Sequence, residues 1–313
     1  MDLRVLRYFV SVATEGSFSK AALKLRVAQP ALSQRMRRLE EELGSELLHR
    51  TARGISLTDS GTQLLAEAKE ILARIDAVQE RIRGFATAPV GHVNLAMSQS
   101  VAKVLAIPLY QAVQQQLAGV TLRLLDSNTG YIPEMLKRRE IDLGIVFKQS
   151  QDPAIEPHVL LFEDLSLIGA AFPESGPVSF SDAATLPLFL PGRPHSVRDL
   201  IEDYARRYGV SLNVVAEVDG IPQMRDFAAA GLGYTMLSPA CVREDVASGR
   251  VSTRRIVEPI LRRPVILCHA SNLPLSRAAA AVQTLIVEIA QGLVGNGVWP
   301  GTLPAEPGHN EPF

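Results

Sequence analysis

Between Thr58 and about Arg83 the apolar residues Leu64, Ala68, Ile71, Ile75, Val78, Ile82 and Phe85 recur alternately four and three positions apart. That spacing predicts a single helix of about 25 residues, near 38 Å long, with one narrow apolar seam, and Thr58 as its N-cap. A seam so narrow favours a partner helix, here a second copy, with Leu64, Ala68, Ile71, Ile75, Val78 and Ile82 as the pairing residues. Packing against the chain's own domain is the alternative. The helix divides the 313 residues into a short head and a long body.

Charge divides at the same place. Residues 1–57 carry ten Lys and Arg against six Asp and Glu, a net +4, so the remainder of a chain of formal charge -1 stands at -5. A basic head on an acidic body suits a protein whose head alone meets phosphate. The head reads as three short helices: residues 2–14 with Leu3, Leu6, Phe9, Val10 and Ala13 inward, Phe18 to Leu25 capped by Ser17, and a third opening at Pro30. In the third, Leu32, Met36, Leu39 and Leu43 form one apolar stripe, and Pro30, Ser33, Gln34, Arg37 and Arg38 fall on the other face. Gln pairs with adenine and Arg with guanine or phosphate, so this face suits a major groove. Leu47 to Leu57 then reads as two strands about a glycine turn, a wing carrying Arg50 and Arg53.

The ordered series Leu6-Arg7-Tyr8-Phe9, Gly16-Ser17-Phe18, Ala21-Ala22, Gln29-Pro30-Ala31-Leu32-Ser33-Gln34, Leu39-Glu40-Glu41-Glu42-Leu43-Gly44, Leu47-Leu48-His49-Arg50 and Leu57-Thr58-Asp59-Ser60-Gly61 resembles the winged helix-turn-helix of LysR-type transcriptional regulators. The resemblance implies that Gln29, Pro30, Ser33, Gln34 and Arg37 lie at the groove and Arg53 in the wing. With Ser17, Arg38 and Arg50 these make up the candidate DNA contacts. Arg35-Met36-Arg37-Arg38 is more basic than the commoner pattern, which leaves the base-reading residues open. A linker seam following the wing would place two heads on one duplex. The expected partners are a pseudo-palindromic double-stranded operator, a second copy in a homodimer or a tetramer of two dimers, and RNA polymerase.

After a hinge over Gly84 to Gly91, strand and helix patterns alternate, which predicts an α/β body with a mainly parallel sheet. Residues 1–58 are expected to form the head, 59–89 the linker helix, and 90–295 a regulatory domain. Its two lobes would span about 90–160 with 266–295, and 161–265, leaving 296–313 as a flexible tail. This resembles the periplasmic-binding-protein-like sensor of LysR-type regulators, so the fold class is α/β overall. The strings Glu163-Asp164-Leu165, Leu188-Phe189-Leu190-Pro191 and Asn272-Leu273-Pro274 look most like the nitrogen-assimilation-control branch.

Ligands in such sheets bind beyond the carboxyl ends of strands, where helix N-termini favour an anion. Ser98, Gln99, Ser100, Asn128, Thr129, Phe147, Pro191, Arg193 and Ile221 occupy those places and are the candidate effector contacts. N-capping is the alternative for the two serines. The expected effector is a small anionic metabolite, with effector-independent regulation left open. Cys241 and Cys268 lack metal or disulfide spacing, and a thiol packed in a strand accounts for Cys268 beside His269. No nucleophile, phosphate-loop, metal or dinucleotide motif is present, so neither a cofactor nor enzymatic activity is expected. No uninterrupted apolar run reaches the roughly 18 residues of a membrane span, and the start of the chain does not read as a signal peptide. A cytoplasmic protein without membrane attachment is expected.

Overall fold

The computed structural model describes residues 2–51, 54–82, 88–172, 175–193, 195–272 and 274–304. They form two compact units, Met1–Thr87 and Ala88–Phe313.

In the first unit, α1 (Leu3–Glu15), α2 (Phe18–Leu25) and α3 (Gln29–Leu43) are each delimited by chemistry visible in the chain. Asp2 accepts from the Val5 N–H at 2.8 Å, Ser17 from the Lys20 N–H at 3.4 Å, and Gly16 and Gly44 close α1 and α3 at φ 60 and 64. Such left-handed C-caps suit glycine, which has no Cβ to clash. Phe9, Val12, Ala21, Ala22, Leu32, Met36 and Leu39 are buried together. Leu3 and Leu43, expected in the apolar faces, are instead 44% and 42% exposed, each at the end of its helix.

Strands β1 (Leu48–Thr51) and β2 (Gly54–Leu57) pair antiparallel as the wing. Glu40 fastens the approach to the wing by accepting from the N–H groups of Leu47 and Leu48 at 2.9 and 3.1 Å. Helix α4 (Asp59–Ile82) follows, its first turn capped by Thr58, whose Oγ1 accepts from the Gly61 N–H at 2.9 Å. Leu64 packs on the core of the head and Ala68 is fully buried within this unit. For the start of the seam, packing against the chain's own domain therefore accounts for the burial. The predicted hinge falls partly on residues 83–87, outside the described residues.

The second unit opens with β3 (Val90–Met97), α5 (Gln99–Gln116), β4 (Gly119–Asp126), α6 (Ile132–Lys137), β5 (Leu143–Val146) and β6 (Ile155–Asp164). There follow β7 (Ser166–Gly169), β8 (Val178–Ser179), α7 (Phe180–Thr185), β9 (Leu188–Leu190), α8 (Ser196–Tyr208), β10 (Val214–Glu217), α9 (Ile221–Ala229) and β11 (Thr235–Leu237). A 3₁₀ turn (Pro239–Val242), α10 (Arg243–Ala247), β12 (Ser252–Val257), β13 (Arg262–Ala270) and α11 (Arg277–Gly295) complete it.

One lobe is built on the five-stranded order β4-β3-β5-β13-β6, the other on β11-β7-β12-β8 and the pair β10-β9. The first sheet is mixed: β3 runs parallel to β4 and β5, whereas β13 is antiparallel to β5 and β6. That corrects the mainly parallel expectation, and the reason is that β6 and β13 carry the chain out of and back into the lobe in opposite senses. The crossings also shift. Residues 161–164 and 262–265 pair with each other in the first sheet, and the switch lies at Leu165, whose N–H donates to the Leu261 carbonyl at 2.8 Å.

One further expectation is corrected near the end of the chain. Residues 296–304 are not a loose tail: Trp299 is 1% exposed, and Thr302 exchanges two hydrogen bonds of 2.8 Å with Phe162. Residues 305–313 lie outside the described ones. Helix α11 is, by length and composition, apolar enough to cross a membrane, although no uninterrupted apolar run suggested it. Its Ala278, Val282, Leu285, Ile286 and Leu293 pack instead with Leu95 and Leu105 in the core of the first lobe.

Candidate functional site

On the head, the two faces of α3 separate as their spacing requires. Leu32, Met36 and Leu39 are each 1% exposed, whereas Gln29, Pro30, Gln34, Arg37 and Arg38 are open to solvent and Ser33 is half-buried. Ser17 is engaged as the cap of α2. Arg50 lies on β1 opposite Ile55, and Arg53 falls outside the described residues. Two glycines hold the frame behind this face. A Cβ on Gly61 would stand 2.0 Å from the Leu47 carbonyl oxygen, and one on Gly54 2.9 Å from that of Gly16.

In the second unit the carboxyl ends of β3, β4 and β5 meet those of β9, β10 and β11 around a cavity of about 420 Å³. Ser98, Gln99, Ser100, Asn128, Thr129, Phe147, Arg193 and Ile221 all line it. Pro191 does not: it is buried outside the lining, and its carbonyl accepts from Arg198 Nη1 at 3.1 Å. The helices α5, α8 and α9 begin at residues of this wall, so three N-terminal partial charges of positive sign converge on it. Ser98 precedes α5 but makes no side-chain cap; its Oγ lies 2.9 Å from Ser100 Oγ. Gln99 donates to Asp126 at 2.9 Å, and the Gly192 N–H to Asp219 at 2.9 Å. Arg193 is mainly exposed and pairs with Glu202.

Residues 3–62 match the family described as "Bacterial regulatory helix-turn-helix protein, lysR family", and residues 86–291 match "LysR substrate binding domain". The chain belongs to the LysR family. This LysR-family chain is similar to the nitrogen assimilation regulatory protein nac of Escherichia coli, at 28% identity over 290 residues, 92% of this chain and 95% of the relative. Its fold is similar to that of a full-length OxyR variant from Pseudomonas aeruginosa, with a TM-score of 0.78 at 20% identity, covering 93% of this chain and 98% of the other. It also resembles full-length CbnR complexed with its target DNA, with a TM-score of 0.54 at 24% identity, covering 93% of this chain and 100% of the other. The chain is thus a LysR-type DNA-binding transcription regulator with an effector-binding domain.

The cavity of this LysR-family protein holds residues that sequence reasoning missed. His195 lines it and accepts from the Val197 N–H through Nδ1 at 3.2 Å, capping α8. Burial holds its imidazole below the ordinary value of 6.5, with the nearby Arg263 charge acting in the same direction. Cys241 also lines the cavity, but burial pushes its thiol up to about 12, and Cys268 likewise to about 12. Neither is a ready nucleophile near neutral pH, because the thiolate is the reactive species. Arg263 and Ser238 complete the wall. The one signal for Arg263 in the sequence is a charge beside the apolar run Pro264-Val265-Ile266-Leu267.

Proposed function

We propose that this regulator reads a pseudo-palindromic operator as a dimer through the exposed face of α3 and alters that binding when a small anionic ligand enters the cavity of its second unit. The observation that carries the DNA reading is the division of α3. Gln34, Arg37 and Arg38 stand in solvent on a helix whose other face is fixed by the buried Leu32, Met36 and Leu39. A rigidly held helix offering donors of this kind suits base edges and phosphates in a major groove.

Pairing is assigned to the part of α4 beyond Ala68. Ile71 and Val78 are each 38% exposed, Ile75 is half-buried, and Ile71 shares an open groove with Leu3. The side chain of Ile82 lies outside the described residues. A second copy of α4 would cover this strip and set two heads on one duplex, with two such dimers forming a tetramer. RNA polymerase is the further partner in this reading. The site of action is the cytoplasm, where operator and polymerase meet, and the chain acts as a switch without catalysis.

The test is operator binding at fixed salt by Arg37→Ala and Gln34→Ala variants, using an operator selected by genome-wide mapping of bound sites. Each variant is expected to lose on the order of 1–3 kcal/mol of specific affinity with its fold unchanged. Parental affinity in both would remove α3 from the reading role.

A further inference from the structure

Arg263 is a cation 2% exposed on β13, beside the apolar run Pro264-Val265-Ile266-Leu267. One edge of its guanidinium is occupied: Nε donates to Glu163 Oε1 at 2.7 Å, and Nη2 stands 2.5 Å from the same oxygen. Its face is occupied too, with Cζ 3.4 Å from the centroid of the Phe147 ring. Glu163 is held from behind, since its Oε2 accepts from Trp299 Nε1 at 3.0 Å. Nη1 alone is buried without a hydrogen-bond partner. Arg263 lines the cavity of about 420 Å³ and a neighbouring one of about 780 Å³, and Thr129, Phe147 and His195 line both with it. A second buried group in the wall has the same property: Ser238 is 1% exposed and its Oγ has no partner.

A buried donor with no acceptor is costly, and guanidinium nitrogens only donate. The group that completes this wall must therefore bring an acceptor, and a charged acceptor bonds a guanidinium more strongly than a neutral one. The charges lining the cavity of about 420 Å³ favour an acceptor of a single negative charge. Glu163 and Glu202 already balance Arg263 and Arg193, and Asp126 and Asp219 line the same cavity. Among the described residues lining the cavity of about 420 Å³, a dianion would meet those carboxylates with no cation beyond Arg193 and Arg263; Lys148 lines the neighbouring cavity.

We propose that Arg263 is the specificity-determining residue of the cleft: its Nη1 holds the carboxylate of a small monocarboxylate ligand, Ser238 supplies a second polar contact, and the ligand's apolar body lies against Phe147, Ile221 and Leu237. The proposal deepens the reading of the cleft as the ligand site and rests on it. Trp299, the only tryptophan of the chain, is one hydrogen bond from Glu163 and thus reports on the state of the Arg263 ion pair.

The test is calorimetry on the full-length protein with acetate, lactate, benzoate and their uncharged amides, and inorganic phosphate for comparison, while Trp299 fluorescence is followed. At least one carboxylate is expected to bind where its amide does not, and to change the fluorescence with the same midpoint. Arg263→Gln should weaken that binding roughly tenfold to a hundredfold. Ser238→Ala should weaken it several-fold without disturbing the fold, because that hydroxyl bonds nothing in the protein; it decides the matter with the amide comparison if Arg263→Gln fails to fold. A carboxylate bound equally by both variants but lost in Ser98→Ala with Ser100→Ala would overturn the proposal and leave the cleft reading standing. A carboxylate indifferent to all four substitutions would overturn both. Preference for an amide or for phosphate, or no carboxylate bound at all, would overturn the proposal.

Discussion

The hydroxyl oxygens of Ser98 and Ser100 lie 2.9 Å apart, each the other's partner, at the start of a helix that neither caps with its side chain. Such a pair uses one O–H hydrogen between the two oxygens and leaves the other free for the cavity. Replacing both by alanine removes donor and acceptor together, so the change in stability is expected to stay within about 1 kcal/mol. The ligand response should nevertheless be lost while operator binding is retained. A double variant that still responds to ligand in an operator-binding assay would remove the serines from the site.

Ile71 and Ile75 sit on α4 beyond the buried Ala68. Glu at both positions places two charges where the second copy's helix is assigned, and a charge without a partner in an apolar interface is costly enough to abandon pairing. Sedimentation should show the sedimenting mass of the Ile71→Glu, Ile75→Glu double variant falling, with weaker operator binding alongside. An unchanged mass would assign pairing to another surface.

Gly61 tests how the wing is fastened to α4. With the Leu47 carbonyl oxygen 2.0 Å from where a Cβ would stand, alanine forces backbone apart rather than a flexible side chain. Gly61→Ala is expected to cost about 1–3 kcal/mol, read as a lower urea midpoint for the head. An unchanged midpoint would mean that the turn relaxes without penalty.

His195 gives the protein a stability term with a defined sign. Its native pKa lies below 6.5, because burial disfavours the imidazolium and Arg263 repels it. The unfolded chain therefore binds the proton more readily, and the stabilisation is fully present above about 6.5 and lost as pH falls through the lowered native value. The urea midpoint should fall over that window in the parent and fall less in His195→Asn, which keeps a capping acceptor but does not titrate. Parallel curves for the two proteins would contradict the assignment.

What depended on a single element was legible in the sequence alone. The period of Leu32, Met36 and Leu39 determined which face of α3 is buried, and hence that Gln34, Arg37 and Arg38 stand in solvent. Ser17 and Thr58 marked helix starts because a cap bonds N–H groups within the next three residues. Ser98, Thr129 and Ile221 were likewise identified as lining residues, since the end of a strand in an α/β sheet is a local feature. Tertiary structure decided what local patterns leave degenerate. A seam at spacings of four and three fits a second copy or the chain's own head equally well, and only the packed unit shows Ala68 used up by the latter. Glu163 and Arg263, a hundred positions apart, each appear in sequence as a charge beside an apolar run, and nothing local selects one partner over another. Residues 296–304 look like a tail because one tryptophan carries no period. Trp299 finds its place through the Glu163 carboxylate on β6, a contact between residues 136 positions apart.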